Sequence, residues 1–232
     1  MKITYYGHSC FRVEIGGKRI LFDPFITPSP ATAGMDIDVD AIECDYLLLS
    51  HGHSDHVADA ERIARNCGAK VIGVYEVVSW FMAKELDGHS MNTGGKYSFD
   101  FGTVRLVNAI HSSSMPDGSY GGNPVGFVIS NNEEGCFYFA GDTALTLDMK
   151  LIPDICPPLD FAILPIGDNF TMGYEDAALC SDFIKCSTII GAHFDTFPVI
   201  DINHDVAKKT FETKGKKLFL PKIGMSFNIT KA

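Results

Sequence analysis

Short segments in which apolar and polar positions alternate, or run apolar without a break, dominate this chain. Lys2–Tyr6, Cys10–Ile15 and Arg19–Phe22 are rich in β-branched and aromatic side chains, which suit a pleated surface, and they predict three strands. Gly16-Gly17 between the last two is a hairpin turn signal. Residues 24–43 hold three Pro, one Gly and four acids and predict a long loop of the kind that often carries function. Tyr46–Ser50 is a continuous apolar run, as expected of a strand covered on both faces. Val57–Asn66 and Glu76–Leu86 read as helices on either side of a strand at Lys70–Val74.

The second half repeats this rhythm. Strands are predicted at Val104–Ile110, Val125–Ser130, Cys136–Ala140, Phe161–Leu164, Thr188–Gly191, Lys217–Leu220 and Ser226–Ile229. A short helix is expected over Leu145–Ile152, and longer ones over Tyr174–Lys185 and Asp205–Thr213. A polar, Gly-rich loop spans 112–123 and is expected to move over whatever lies beside it. No repeat of fixed period and no linker-like stretch divides the chain, so residues 1–232 are read as one α/β domain. Two packed sheets with helices outside fit the order of elements.

Composition adds few constraints and several exclusions. Hydrophobic residues are 46% of the 232, enough for a sizeable core, and no apolar run suggests a membrane span. The first residues lack the apolar stretch of a signal peptide. A net charge of −10 disfavours nucleic acid as a partner, since non-specific binding rests on cationic surface. The one dense basic group, Lys208, Lys209, Lys214, Lys216 and Lys217, reads as a solvated face. Seven cysteines, an odd number without a C-x-x-C pair, read as reduced thiols in a cytoplasm. A homo-oligomer is compatible with all of this.

Candidate chemistry concentrates in His51-Gly52-His53-Ser54-Asp55-His56, four metal-ligand types within six positions. Imidazoles and carboxylate so close suit borderline divalent ions, zinc first, with manganese, iron or nickel as alternatives. A bound ion with an open position makes hydroxide from water near neutral pH. The cluster directly follows the Tyr46–Ser50 strand. Three more ligand-type residues, His111, Asp142 and His193, each follow a predicted strand. Polar residues ending buried strands on one edge can converge, and these seven ligands would serve two ions with Asp142 as the bridge.

With these residues the chain resembles the metallo-β-lactamase superfamily, over essentially its whole length and in the same order of ligands. Within it the chain is similar to the small, single-domain hydrolase group related to the ascorbate-phosphate lactonase. That closer likeness rests on Gly7-His8-Ser9-Cys10-Phe11, Leu21-Phe22-Asp23-Pro24-Phe25, Gly167-Asp168-Asn169-Phe170-Thr171-Met172-Gly173 and His193-Phe194-Asp195-Thr196-Phe197-Pro198. The resemblance implies a four-layer αββα sandwich. It implies one ion on His51, His53 and His111, a second on Asp55, His56 and His193, and Asp142 between them. His at position 53, where the flavodiiron branch has Glu, and the lack of a fused flavodoxin domain argue against redox di-iron chemistry.

The implied function is hydrolysis of a small-molecule lactone, ester or phosphoester by a hydroxide held in a dinuclear centre. Asp55 is expected to orient the nucleophile besides ligating. Asp23 and Asp168 are candidates to hold ligand histidines from behind. His8 is expected near the site as a hydrogen-bonding residue rather than a ligand. The Ser112-Ser113-Ser114 run is read as polarity of a substrate loop, His89 and His204 as surface residues, and Trp80 as core. Three alternatives share the fold: a nucleic-acid phosphodiesterase, a mononuclear iron enzyme of sulfur or oxygen chemistry, and a non-catalytic binding protein.

Overall fold

The structure, a computed structural model, describes residues 1–231. Fourteen strands run β1 (Lys2–Gly7), β2 (Cys10–Ile15), β3 (Lys18–Phe22), β4 (Tyr46–Leu48), β5 (Lys70–Val74), β6 (Gly88–Met91), β7 (Lys96–Phe99), β8 (Gly102–Asn108), β9 (Val125–Asn131), β10 (Gly135–Phe139), β11 (Phe161–Pro165), β12 (Thr188–Ala192), β13 (Lys217–Phe219) and β14 (Ser226–Asn228). They form two seven-stranded sheets, ordered β14-β1-β2-β3-β4-β5-β6 and β13-β12-β11-β10-β9-β8-β7. Each sheet is mixed. β3 to β6 are parallel in one and β10 to β13 in the other, and the remaining pairings are antiparallel.

Alternation along the strands decides which side chains meet between the sheets. Phe127, Ile129, Phe137, Phe139 and Phe161 of the second sheet lie in the main core with Phe11, Phe22 and Leu47 of the first. Their chain neighbours Val128, Cys136, Tyr138 and Ala162 point the other way, into a second core. Across the inter-sheet layer Phe22 stacks on Phe139 with ring centroids 4.5 Å apart. Helices α1 (Ser54–Val57), α2 (Ala60–Cys67) and α3 (Tyr75–Met82) belong to the first half, and α4 (Ile152–Ile155), α5 (Tyr174–Phe183) and α6 (His204–Thr213) to the second. Ile63, Val77 and Val78 cover the outer side of the first sheet, and Ala177, Cys180 and Phe211 the outer side of the second. The layers are therefore αββα.

The structure departs from the pattern-based expectation at three places. β6 and β7 fall where no element was predicted. They are edge strands whose residues are mostly half-buried or exposed, so no apolar alternation marks them. The helix expected over Val57–Asn66 breaks at Asp59, whose buried carboxylate accepts from Ile26 N–H at 2.7 Å and Thr27 N–H at 2.8 Å. The short helix expected over Leu145–Ile152 is a 3-10 turn at Leu147–Leu151 leading into α4. Among the described residues no helix is long and apolar enough to cross a membrane.

Candidate metal centre

Strand direction brings the ligand-type residues together. In the first sheet β1, β3 and β4 run the same way, and the chain leaves them at His8, Asp23 and Ser50-His51. In the second sheet β8, β10 and β12 run the same way and lead into His111, Asp142 and His193. The turns are tight. His8, Asp23 and His193 all sit in the left-handed backbone region, at φ 54°, 41° and 53°. Such conformations are costly for these residue types and persist where the surroundings over-determine them. Gly141 precedes Asp142 with φ 62°, and a Cβ there would stand 2.6 Å from the Cβ of Ser50. The two sheets thus approach too closely at this point for any side chain.

Asp142 is at the centre. Its Oδ2 lies 3.0 Å from His193 Nε2, 3.2 Å from His56 Nε2, 3.6 Å from His111 Nε2 and 4.0 Å from His51 Nε2. On one side His51, His53 and His111 present nitrogens that all lie within 4.8 Å of one another. His51 Nε2 and His53 Nδ1 are 3.0 Å apart. On the other side His8, Asp55, His56 and His193 form a second such group. All seven residues expected as ligands are therefore in one place, and His8 joins them.

A shell of hydrogen bonds fixes the rings. Asp23, fully buried, accepts from His56 Nδ1–H at 2.8 Å, and also from Ser50 N–H at 2.8 Å and Ser50 Oγ–H at 2.6 Å. Ser50 Oγ lies 3.0 Å from His51 Nδ1, so one carboxylate orients two imidazoles, one of them through a hydroxyl. His8 Nδ1 is 2.8 Å from Thr196 Oγ1 and its Nε2 3.3 Å from Asp55 Oδ2. The His8 carbonyl accepts from His193 N–H at 3.0 Å. Asp168 is not part of this network. It is exposed, and its carboxylate accepts from Asn169 N–H at 2.8 Å within its own loop, so the expected supporting role has no contact behind it.

Sequence reading passed over several participants. Ser112 Oγ is 3.3 Å from His53 Nε2, and Ser113 Oγ accepts from Gly52 N–H at 3.1 Å, so these serines brace the ligand loop as well as lining it. Trp80 is only half-buried, and its indole N–H donates to Asp117 at 2.8 Å, pinning the 112–123 loop expected to move. Ser50, Thr196 and Asp59 carry no motif of their own. Only the proximity of Ser50 to the cluster could have flagged it. His204 is exposed as expected, whereas His89 is half-buried against the Tyr97 and Phe99 rings.

Burial and neighbours set the protonation states. Burial drives His51 well below the usual imidazole range and lowers His53 and His111. His8 is lowered to about 4 by burial, against the pull of Asp55, so it is neutral at pH 7. Burial also works against a charged His56, but Asp142 and Asp23 flank the ring and raise its pKa well above the ordinary value. Burial opposes ionisation of Asp142, yet His56 and His193 hold its carboxyl well below the usual range.

The donor set fits divalent ions. His56 Nε2, Asp142 Oδ1 and His193 Nδ1 are buried without a hydrogen-bond partner among the described residues. Buried polar atoms are seldom left so, and a common reason is an ion. Nitrogens about 3 Å apart also suit ligands that each stand about 2.0–2.1 Å from one shared zinc-like ion.

Comparison with known proteins agrees with this geometry. A family model described as "Beta-lactamase superfamily domain" matches residues 2–193, ending on the last of the seven residues. A "UPF0173 metal-dependent hydrolase" of Flavobacterium johnsoniae is 54% identical over 99% of this chain and 100% of its own length. One of the same description from Christiangramia forsetii is 51% identical with the same coverage. Among solved structures, Igni18, described as a novel metallo hydrolase from the hyperthermophilic archaeon Ignicoccus hospitalis, superposes with a TM-score of 0.87 at 32% identity, covering 99% of each chain. An isothiocyanate hydrolase from Delia radicum gut bacteria shares the fold, with a TM-score of 0.79 at 18% identity and full coverage of both chains. With its ligand-type residues on one edge of an αββα sandwich and relatives matching from end to end, the chain belongs to the beta-lactamase superfamily, among its metal-dependent hydrolases.

Proposed function

We propose that the protein hydrolyses a small molecule, a lactone, ester or phosphoester, at a dinuclear centre. The observation that carries this reading is the pair of ligand groups on either side of Asp142. His51, His53 and His111 would hold one ion, Asp55, His56 and His193 the other, with Asp142 shared and zinc the first candidate. Bound there, two divalent ions would acidify water and polarise the substrate oxygen.

The remaining chemistry belongs to the chain. Asp23 accepts a hydrogen bond from His56 Nδ1–H and so leaves Nε2 to coordinate. Neutral His8 has one ring N–H. Donated from Nε2 to Asp55, it leaves Nδ1 to accept from the Thr196 hydroxyl. That bond fixes the carboxylate that would aim the attacking water. Phe25 and Phe197 flank His8 with ring centroids 5.4 and 5.8 Å away, which keeps bulk water from its far side. In an ester the water oxygen bonds to the acyl carbon, the carbon–alkoxy bond breaks, and the leaving alkoxide takes the proton that the attacking water gives up.

All seven cysteines are free, which supports a reducing compartment such as the cytoplasm. Metal analysis of protein purified without a nickel column, followed by ester and lactone assays, tests the proposal. Two zinc or manganese ions per chain and turnover abolished in a His51→Ala, His53→Ala variant are expected. One iron per chain, or unchanged turnover in that variant, would overturn it.

A further inference from the structure

Lys208 and Lys222 share a cavity of about 540 Å³ beside the candidate metal centre. The sequence reads Lys208 as part of a solvated face and marks nothing at Lys222. Lys222 lies on the loop between β13 and β14. That loop passes so close to Gly7, the neighbour of His8, that a Cβ there would stand 3.2 Å from Ile223 Cδ1. Phe194 and Asp195, directly after His193, form another wall. Tyr5 lines the cavity too, and its hydroxyl donates to the His8 carbonyl at 3.3 Å. The same carbonyl accepts from His193 N–H at 3.0 Å. The cavity thus borders the turns that carry His8 and His193, yet none of the seven ligand-type residues lines it.

Its chemistry is amphipathic. Met35, Phe194, Leu220 and Ile223 give it an apolar wall. Asp195 is the one acid that lines it, and its carboxylate accepts from the His204 ring and from Ile202 N–H. Asp36 and Asp205, the acids beside Met35 and His204 in the chain, do not line it. Both lysines are exposed, and neither forms an ion pair among the described residues. In a chain of net charge −10, two uncommitted ammonium groups on one apolar cavity are a local exception. Two cations favour an anion, and the apolar wall favours a body that leaves water. The volume falls among those of small-molecule sites, about 300–1,000 Å³.

We infer that this cavity is a second ligand site, which takes one small organic anion. Its apolar body rests on Phe194, Leu220 and Ile223, and its charge meets Lys208 and Lys222. A bare inorganic anion gains nothing from the wall, and a neutral body gains nothing from the lysines. The inference stands apart from the hydrolytic reading, since it uses no metal and no reacting bond.

Naphthalene-2-sulfonate is the probe, because it joins an apolar body to an anion that ligates metal ions weakly. Titrated into metal-loaded protein in a calorimeter, it should bind at one site per chain. It should bind about tenfold more tightly than 2-(methylsulfonyl)naphthalene, its neutral counterpart, and than inorganic sulfate. Lys208→Glu with Lys222→Glu should weaken the sulfonate about tenfold or more. Met35→Asp puts an acid on the apolar wall at a residue 49% exposed, and it should weaken binding too. Lys96→Glu with Lys185→Glu makes the same change in net charge on exposed residues outside the cavity, and should leave affinity within about twofold. Equal losses in the two double variants would reduce the effect to net charge and overturn the site. So would no measurable binding, equal affinity for the neutral sulfone, or binding that vanishes with the metals while the Lys208→Glu, Lys222→Glu variant keeps it.

Discussion

Asp23 shows how much one side chain can organise. It is fully buried and receives three hydrogen bonds, one from an imidazole and two from Ser50. Losing a partner that orients a ligand imidazole typically weakens metal binding about 10–100-fold. Asp23→Ala should therefore lose metal to a chelator at a free-metal concentration higher by that factor, while far-ultraviolet circular dichroism stays native. His56 makes a second prediction. Asp142 and Asp23 raise its pKa well above the ordinary value, so in the metal-free fold its proton is kept at pH 7. That contribution to stability is full below the unfolded value of about 6.5 and is lost as pH rises through the folded one. Coordination requires the neutral ring, so metal uptake near pH 7 should release a proton and strengthen as pH rises. Calorimetry in buffers of different ionisation enthalpy reads that proton directly, and buffer-independent heats would contradict it.

At the scale of elements, what matters is how strands end. Gly141 lets β10 hand the chain to Asp142 beside Ser50, where the two sheets come closest at the site. Gly141→Ala combines a left-handed backbone with a contact of 2.6 Å to Ser50 Cβ. It should cost at least about 1–3 kcal/mol, seen as a lower urea midpoint, and reduce metal content along with it. A variant as stable and as metal-rich as the parent would show that this turn has slack. The 112–123 loop carries the opposite lesson. Its glycines suggested motion, and two contacts tether it: Trp80 holds Asp117 and Ser113 holds the Gly52 amide. The partners that brace it lie 37 and 61 residues away in the chain, beyond the reach of any local pattern.

Across the whole molecule, the candidate metal centre lies where two sheets meet, and its ligand-type residues come from both. Ions bound there should clamp the sandwich. At a free-metal concentration 100-fold above Kd the linkage is worth about 2.7 kcal/mol, or roughly 5–11 °C in Tm for a chain of this size. Scanning calorimetry of metal-free and reloaded protein measures it, and an unchanged Tm would mean that the ions do not bind the folded chain in preference to the unfolded one. The wider reading was legible in the chain because its signals are local and strong. The H-G-H-S-D-H cluster follows an apolar run, alternating strands give two faces, and His111, Asp142 and His193 each lie within three residues of a strand end. Those patterns pointed to two packed sheets with helices outside and picked out seven ligand-type residues. They could not find edge strands β6 and β7, because an edge exposed to water selects no apolar alternation. Nor could they separate Asp23 from Asp168, two acids in equally suggestive motifs. The tertiary structure decided between them: Asp23 is buried against His56 and Ser50, while Asp168 faces solvent. A hydrogen bond between distant segments depends on where the backbone places both partners, and only packing fixes that.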